Sequence, residues 1–161
     1  MKAVVNSSPL IFLAKINRLD LLNKLFDEVI IPKAVYEEAV LNGKRDKTEI
    51  IKNLNWIKVE EVKNRRLINF LMNFIDYGES EVIAYAVENN IDLVVLDDKD
   101  ARKIAREFDL KVIGTLGILI ISKKKGYINE LKPIIEKLVD NNFRISEKLL
   151  RRILEEVNEK M

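Results

Sequence analysis

The run Leu93-Val94-Val95-Leu96, bounded by Asp92 and by Asp97-Asp98, constrains this chain more than any other segment. Four consecutive apolar residues are too short for a helical stripe and leave no polar face for solvent. The run therefore reads as a strand buried on both faces, central in its sheet. Similar β-prone runs occur at residues 3–5, 28–31 and 111–113, and residues 56–62 read as an edge strand. The intervening segments carry apolar residues at helical spacing. They are 10–16 and 19–26; a helix opened by Pro32 and stopped by Asn42-Gly43; 47–54 and 67–75; 79–88 after a break at Gly78; and 100–108 and 115–122. Two more helices follow at about 128–140 and 146–159. Strands alternating with helices predict an α/β chain: one domain over residues 1–161, a central parallel sheet, helices on both faces, and C-terminal helices from about residue 128.

Absent residue types narrow the chemistry. The sequence contains no Cys and no His. Disulfide frameworks, thiolate zinc sites, Ser-His-Asp triads and imidazole-ligated metals are all excluded. Hydrolysis by such a chain has to rest on carboxylates, Lys, Ser/Thr, or a hard cation held by oxygen. No apolar run is long enough to span a bilayer and no signal-peptide pattern opens the chain, so the expectation is a cytoplasmic protein away from membranes. Lys+Arg number 28 and Asp+Glu 26. The balance is uneven along the chain: residues 1–98 hold 13 basic and 16 acidic side chains, and residues 99–161 hold 15 and 10, or −3 against +5. An acidic front and a basic back suit a metal site beside a polyanion channel.

In an open parallel sheet, sites form beyond the carboxyl ends of the strands. Asn6 follows the first strand, Asp97 and Asp98 follow the strand at 93–96, and Thr115 follows the strand at 111–113, so all four project toward one rim. Glu79 has Val82, Ile83 and Ala86 at i+3, i+4 and i+7, which places it on the inward face of its helix. Glu81 aligns with Ala84, Tyr85 and Glu88, a more solvent-like face. A carboxylate turned inward near acidic strand ends is costly unless a cation neutralises it, a pattern that suits oxygen-ligated Mg²⁺ or Mn²⁺. Plainer roles stand beside these: Asn6, Ser7 and Ser8 as a helix cap, Asp97-Asp98 as a turn and cap, Glu79 as a first-turn acid, and Gly114-Thr115 as a strand-to-helix turn or a phosphate seat. Helical phase does not separate Glu37 from Glu38.

Taken in order, Val4-Val5-Asn6-Ser7-Ser8-Pro9-Leu10-Ile11, Ile30-Ile31-Pro32-Lys33-Ala34-Val35-Tyr36-Glu37-Glu38, Gly78-Glu79-Ser80-Glu81-Val82-Ile83-Ala84, Leu96-Asp97-Asp98-Lys99-Asp100-Ala101-Arg102 and Gly114-Thr115-Leu116-Gly117-Ile118-Leu119 resemble a PIN-like domain. The likeness is to a prokaryotic branch often associated with toxin–antitoxin pairs, and it runs from residue 3 to about 155. It implies a metal-dependent ribonuclease with Mg²⁺ or Mn²⁺ as cofactor, and RNA, an antitoxin protein and a second copy of the chain as partners. Carried over residue by residue, Asn6 stands at the first acidic position, Glu38 at the helical glutamate, Glu79 at the third acid and Asp98 at the fourth, with Asp97 beside it. The implied catalytic residues are Glu38, Glu79 and Asp98. The implied metal ligands are these three with Asn6 and Asp97. Asn6 departs from the usual Asp and removes one negative charge, which weakens metal affinity and water activation.

Arg102, Lys123, Lys124 and Lys125, with Thr115, are the first candidates for contacts to RNA phosphates, against a reading in which the lysines only complement a helix C-terminus. The alternative from another functional class is a catalytically inactive RNA- or protein-binding module on the same fold, with Asn6 as its signature. A receiver-like domain fits less well, because the first strand ends in Asn-Ser-Ser where an acidic pair is required.

Overall fold

The computed structural model describes residues 1–41 and 48–161. Five strands form one parallel sheet: β1 (Lys2–Val5), β2 (Glu28–Pro32), β3 (Ile57–Glu60), β4 (Leu93–Val95) and β5 (Lys111–Ile113), in the order β3-β2-β1-β4-β5. β1 is the central strand, and the apolar 93–96 run lies beside it as β4. Ala3, Val4 and Val5 are as fully buried as Val94 and Val95, because both strands are flanked on each side by another. β3 and β5 are the edges.

The helices are α1 (Ser7–Lys15), α2 (Asp20–Leu25), α3 (Lys33–Tyr36), α4 (Arg65–Leu71), α5 (Tyr77–Glu88), α6 (Lys99–Glu107), α7 (Thr115–Lys124), α8 (Leu131–Asp140) and α9 (Glu147–Glu156). α5 packs on β1, β2 and β4 with α3 and α4 beside it, and α7 groups with α1, α2 and α8. The sheet grows from β1 toward β3 on one side and from β4 toward β5 on the other. Right-handed crossovers then place helices on both faces, and the reversal leaves a crevice between the carboxyl ends of β1 and β4.

Several sequence expectations are corrected. Gly78 does not break a helix: it lies inside α5, which starts at Tyr77 and is capped by Asp76. The helix expected through residue 41 is α-helical only for Lys33–Tyr36, then widens into a π-helical turn at Glu37–Leu41. Pro32 ends β2 and occupies the N-cap of α3. The helix stop assigned to Asn42-Gly43 lies outside the described residues. The segment read as a helix at 47–54 is a 3₁₀ turn at Thr48–Asn53, and α4 ends at Leu71, short of Ile75.

With few glycines, the chain ends five of the described helices on Asn or Asp, and α7 on Gly126. Asn17, Asn90, Asp109, Asn142 and Asn158 take the left-handed conformation just past α1, α5, α6, α8 and α9. The hydrogen-bond pair that closes each end is repeated, as in Arg18 N–H to the Leu13 carbonyl and Asn17 N–H to the Ala14 carbonyl. These stops fix the return of each helix to the next strand. Among the described residues, no helix is long and apolar enough to cross a membrane.

Candidate active site

The crevice between β1 and β4 collects most of the acids the sequence singled out. Asn6 extends β1, and its N–H donates to the Val95 carbonyl at 3.0 Å. It occupies the N-cap position of α1, yet its side chain caps nothing. The side chain is 5% exposed, and Oδ1 is buried without a hydrogen-bond partner. An orphaned buried acceptor costs about 1–3 kcal/mol, so the plain cap reading does not account for it.

Ser7 and Ser8, in the first turn of α1, hold carboxylates on either side. Ser7 Oγ donates to Glu38 Oε2 at 3.0 Å, and Ser8 Oγ donates to Asp97 Oδ2 at 3.2 Å. Glu38 arrives on the π-helical turn, where the extra residue per turn changes its direction relative to α3. A side chain at Gly78 would overlap Glu38 Oε1, so glycine as the second residue of α5 leaves the Glu38 carboxylate room to rest where it does.

Asp76 and Glu79 form a reciprocal capping box. Glu79 N–H donates to Asp76 Oδ1 at 2.8 Å, and Asp76 N–H donates to Glu79 Oε1 at 3.1 Å. Glu79 is only 7% exposed. Burial, then the charges of Asp76 and Asp98, push its carboxyl up to about 7. Burial also raises Glu38, with Asp76 and Glu81 adding to the effect and the Ser7 hydrogen bond opposing it. Asp98 caps α6 through Oδ2, which accepts from Ala101 N–H at 2.9 Å.

Asp97 differs from these acids. Its Oδ1 accepts from Thr115 N–H at 2.7 Å, and its Oδ2 accepts from Thr115 Oγ1 at 2.7 Å as well as from Ser8. Both oxygens are occupied, and the carboxylate ties β4 to the start of α7. In contrast, Glu38 Oε1, Glu79 Oε2, Asp98 Oδ1 and Asn6 Oδ1 accept no hydrogen bond among the described residues. As the side chains stand, no three carboxylates among the described residues surround one point. The donor set nevertheless suits a hard divalent cation. Every free atom is oxygen, one is a buried orphan, and the Glu38 and Glu79 carboxyls are destabilised as anions where a positive charge would relieve them.

The basic candidates separate. Arg102 lies beside Asp97 and Gly114 at the crevice. Lys123, Lys124 and Lys125 lie at the other end of α7, about 15 Å along the helix from Thr115. There Lys123 pairs with Glu159 at 3.3 Å and Lys124 with Glu156 at 2.7 Å.

Two parts of the site were missed in the sequence. Asp76 was overlooked, although Asp76-x-x-Glu79 is itself a capping-box signature. Glu81, assigned to a solvent-like face, is 2% exposed. Its Oε1 accepts from Ala34 N–H at 2.9 Å and its Oε2 from Arg65 Nη1 at 2.9 Å, while Arg65 Nη2 donates to Tyr77 Oη at 2.7 Å. These contacts come from α3 and α4, which helical phase within α5 does not reveal.

Comparison with known proteins bears on the fold and the family. A search of curated proteins finds no match. Among solved structures, the chain is similar to a PilT N-terminus domain protein from the hyperthermophilic archaeon Sulfolobus solfataricus P2, with 22% identity and a TM-score of 0.50 over 76% of this chain and 93% of that one, a likeness of fold. The family model DUF3368, described as a PIN domain, matches residues 2–159. That match spans the sheet, the crevice and the C-terminal helices, and the chain belongs to the PIN domain family.

Proposed function

We propose that this protein is a ribonuclease that hydrolyses RNA phosphodiester bonds with Mg²⁺ or Mn²⁺, and that it is the toxin of a toxin–antitoxin pair. The observation that carries the nuclease reading is the buried, orphaned Oδ1 of Asn6 at the same rim as Glu38, Glu79 and Asp98, each of which keeps one free oxygen. Membership of a family with a nuclease-type fold supports the same reading. The toxin role rests on the branch the sequence resembles, and it brings an antitoxin and a second copy of the chain as partners.

Asn6, Glu38, Glu79 and Asp98 would hold the cation. When bound, it supplies charge neutralisation at the phosphate and acidification of a water. The chain's own residues keep the geometry. Ser7 orients Glu38, the capping box orients Glu79, and the α6 cap orients Asp98. Asp97 acts as a brace, holding Thr115 and Ser8 with no oxygen to spare. The Glu79 carboxyl, which burial raises to about 7, would have to be deprotonated to serve as a ligand.

Asn6 also favours a second reading, an inactive RNA- or protein-binding module. One assay separates the two. Highly purified protein is incubated with a mixture of single-stranded RNAs, with Mn²⁺ or with EDTA, beside an Asp98→Asn control. Cleavage that needs metal and falls at least tenfold in the control supports the nuclease. RNA that stays intact under all conditions overturns it in favour of the module.

A further inference from the structure

A cleft of about 1070 Å³ opens between β5, α7 and α9. Asp97, Arg102 and Gly114 line the end of it that borders the crevice. Arg102, Arg144 and Arg152 all line this cleft, and the side chain of none forms an ion pair or hydrogen bond among the described residues. Arg18 pairs with Asp20, Arg65 with Glu81 and Arg151 with Glu147, while Arg66 and Arg106, which do not line the cleft, also stand without an ion pair among the described residues. Three guanidinium groups around one cleft, those of Arg144 and Arg152 exposed, present donors that an anion can accept from. The lining also holds three acids: Asp97 accepts from Thr115 and Ser8, Glu156 pairs with Lys124, and Glu155 stands unpaired among the described residues.

The crevice itself is ringed by Glu38, Asp76, Glu79 and Asp98, so it repels the polyanion it is proposed to cut. Affinity for a strand longer than one nucleotide has to come from cations next to the crevice, and the arginine cleft is continuous with it through Arg102 and Gly114. Phe143 and Leu149 give the cleft an apolar wall on which bases can rest. We infer that the cleft between β5, α7 and α9 binds the single-stranded RNA flanking the scissile phosphate, with Arg144 and Arg152 contacting its backbone. This inference rests on the nuclease reading.

The test uses the full chain and a fluorescently labelled 12-nucleotide single-stranded RNA, with anisotropy measured in EDTA so that nothing is cut. The Arg144→Gln/Arg152→Gln double variant changes two exposed side chains. Lys132→Gln/Lys137→Gln on α8 removes the same charge elsewhere. The arginine variant is expected to bind at least tenfold more weakly, and the slope of log affinity against log salt is expected to fall by about 1.4, or ~0.7 for each lost phosphate contact to a single strand. The lysine variant should stay within twofold of the parent. Equal losses in both variants, no loss in the arginine variant, or tighter capture of a polyglutamate peptide than of RNA would overturn the inference. In Mn²⁺, an arginine variant that still cleaves with unchanged KM shows that the cleft alone has failed. A parent that neither binds nor cuts RNA removes the nuclease reading and the cleft with it.

Discussion

Glu38 lies directly against Gly78: a methyl group added there would overlap Oε1 and approach Cδ to 3.0 Å. The free oxygen of Glu38 therefore rests on the first turn of α5, where the helix dipole favours negative charge. Gly78→Ala should move that carboxylate without unfolding the protein, because the overlapping atom ends a flexible side chain. Alanine gains up to ~1 kcal/mol of helix propensity, which offsets the displacement, so stability should change by less than about 1 kcal/mol. Mn²⁺ affinity should fall at least tenfold by calorimetric titration. Unchanged affinity would detach Glu38 from the metal site.

The Glu79 carboxyl, raised to about 7, gives the metal-free protein a defined pH dependence. The folded state binds a proton that the unfolded chain has released above about pH 4.5. The stabilisation from this group is complete below pH 4.5 and is lost as pH rises through about 7. Its span is up to about 3 kcal/mol. Glu38, raised in the same sense, adds to it. In urea unfolding with EDTA at pH 5 and pH 8, Glu79→Gln should remove most of the parent's drop while keeping the capping box. An identical drop in both proteins would contradict the assignment.

Much of the architecture was legible because buried parallel strands announce themselves as apolar runs ended by polar residues. The strand-end rule then brought Asn6, Asp97, Asp98 and Thr115 to one rim before any contact was known. What escaped depends on neighbours distant in sequence. The saturation of Asp97 needs α7 to start beside β4, and the burial of Glu81 needs Arg65 and the α3 backbone. The π-helical turn at Glu37–Leu41 has no signature in apolar spacing, so the sequence did not separate Glu37 from Glu38. In the sequence Gly78 reads as punctuation because a helix-interior glycine is costly, and its reason lies in the Glu38 carboxylate.

Glu81 fastens three elements, since it receives hydrogen bonds from α3 and α4 while standing on α5. Glu81→Ala should leave the Ala34 N–H without its partner and cost about 2–4 kcal/mol. Glu81→Gln keeps an acceptor for Ala34 and should cost about 1–2 kcal/mol, as hydrogen bonds to charged groups do. Urea denaturation measures both. Equal costs would mean that the charge paired with Arg65, rather than the Ala34 contact, carries the stabilisation.

Adjacent aspartates should respond in opposite ways. Asp97→Ala strands the buried Thr115 groups and should destabilise by about 2 kcal/mol, yet retain a metal-induced rise in melting temperature. Asp98→Asn keeps the α6 cap, because Asn caps as well as Asp, and should leave stability within about 0.5 kcal/mol. Its metal-induced rise should shrink by half or more. Thermal melts with and without Mn²⁺ distinguish the two. The reverse pattern would exchange the brace and the ligand.

The central claim is that Asn6 is a weakened ligand in a working cation site, and calorimetric titration of Mn²⁺ into the parent and into Asn6→Asp tests it most directly. A carboxylate at this position adds a charge where the cation sits. It also adds repulsion toward Glu38, Glu79 and Asp98 when the cation is absent. The account predicts that Asn6→Asp binds Mn²⁺ at least tenfold more tightly than the parent while its metal-free form melts at a lower temperature. Equal Mn²⁺ affinity in the two proteins, or no Mn²⁺ binding by either, would contradict it.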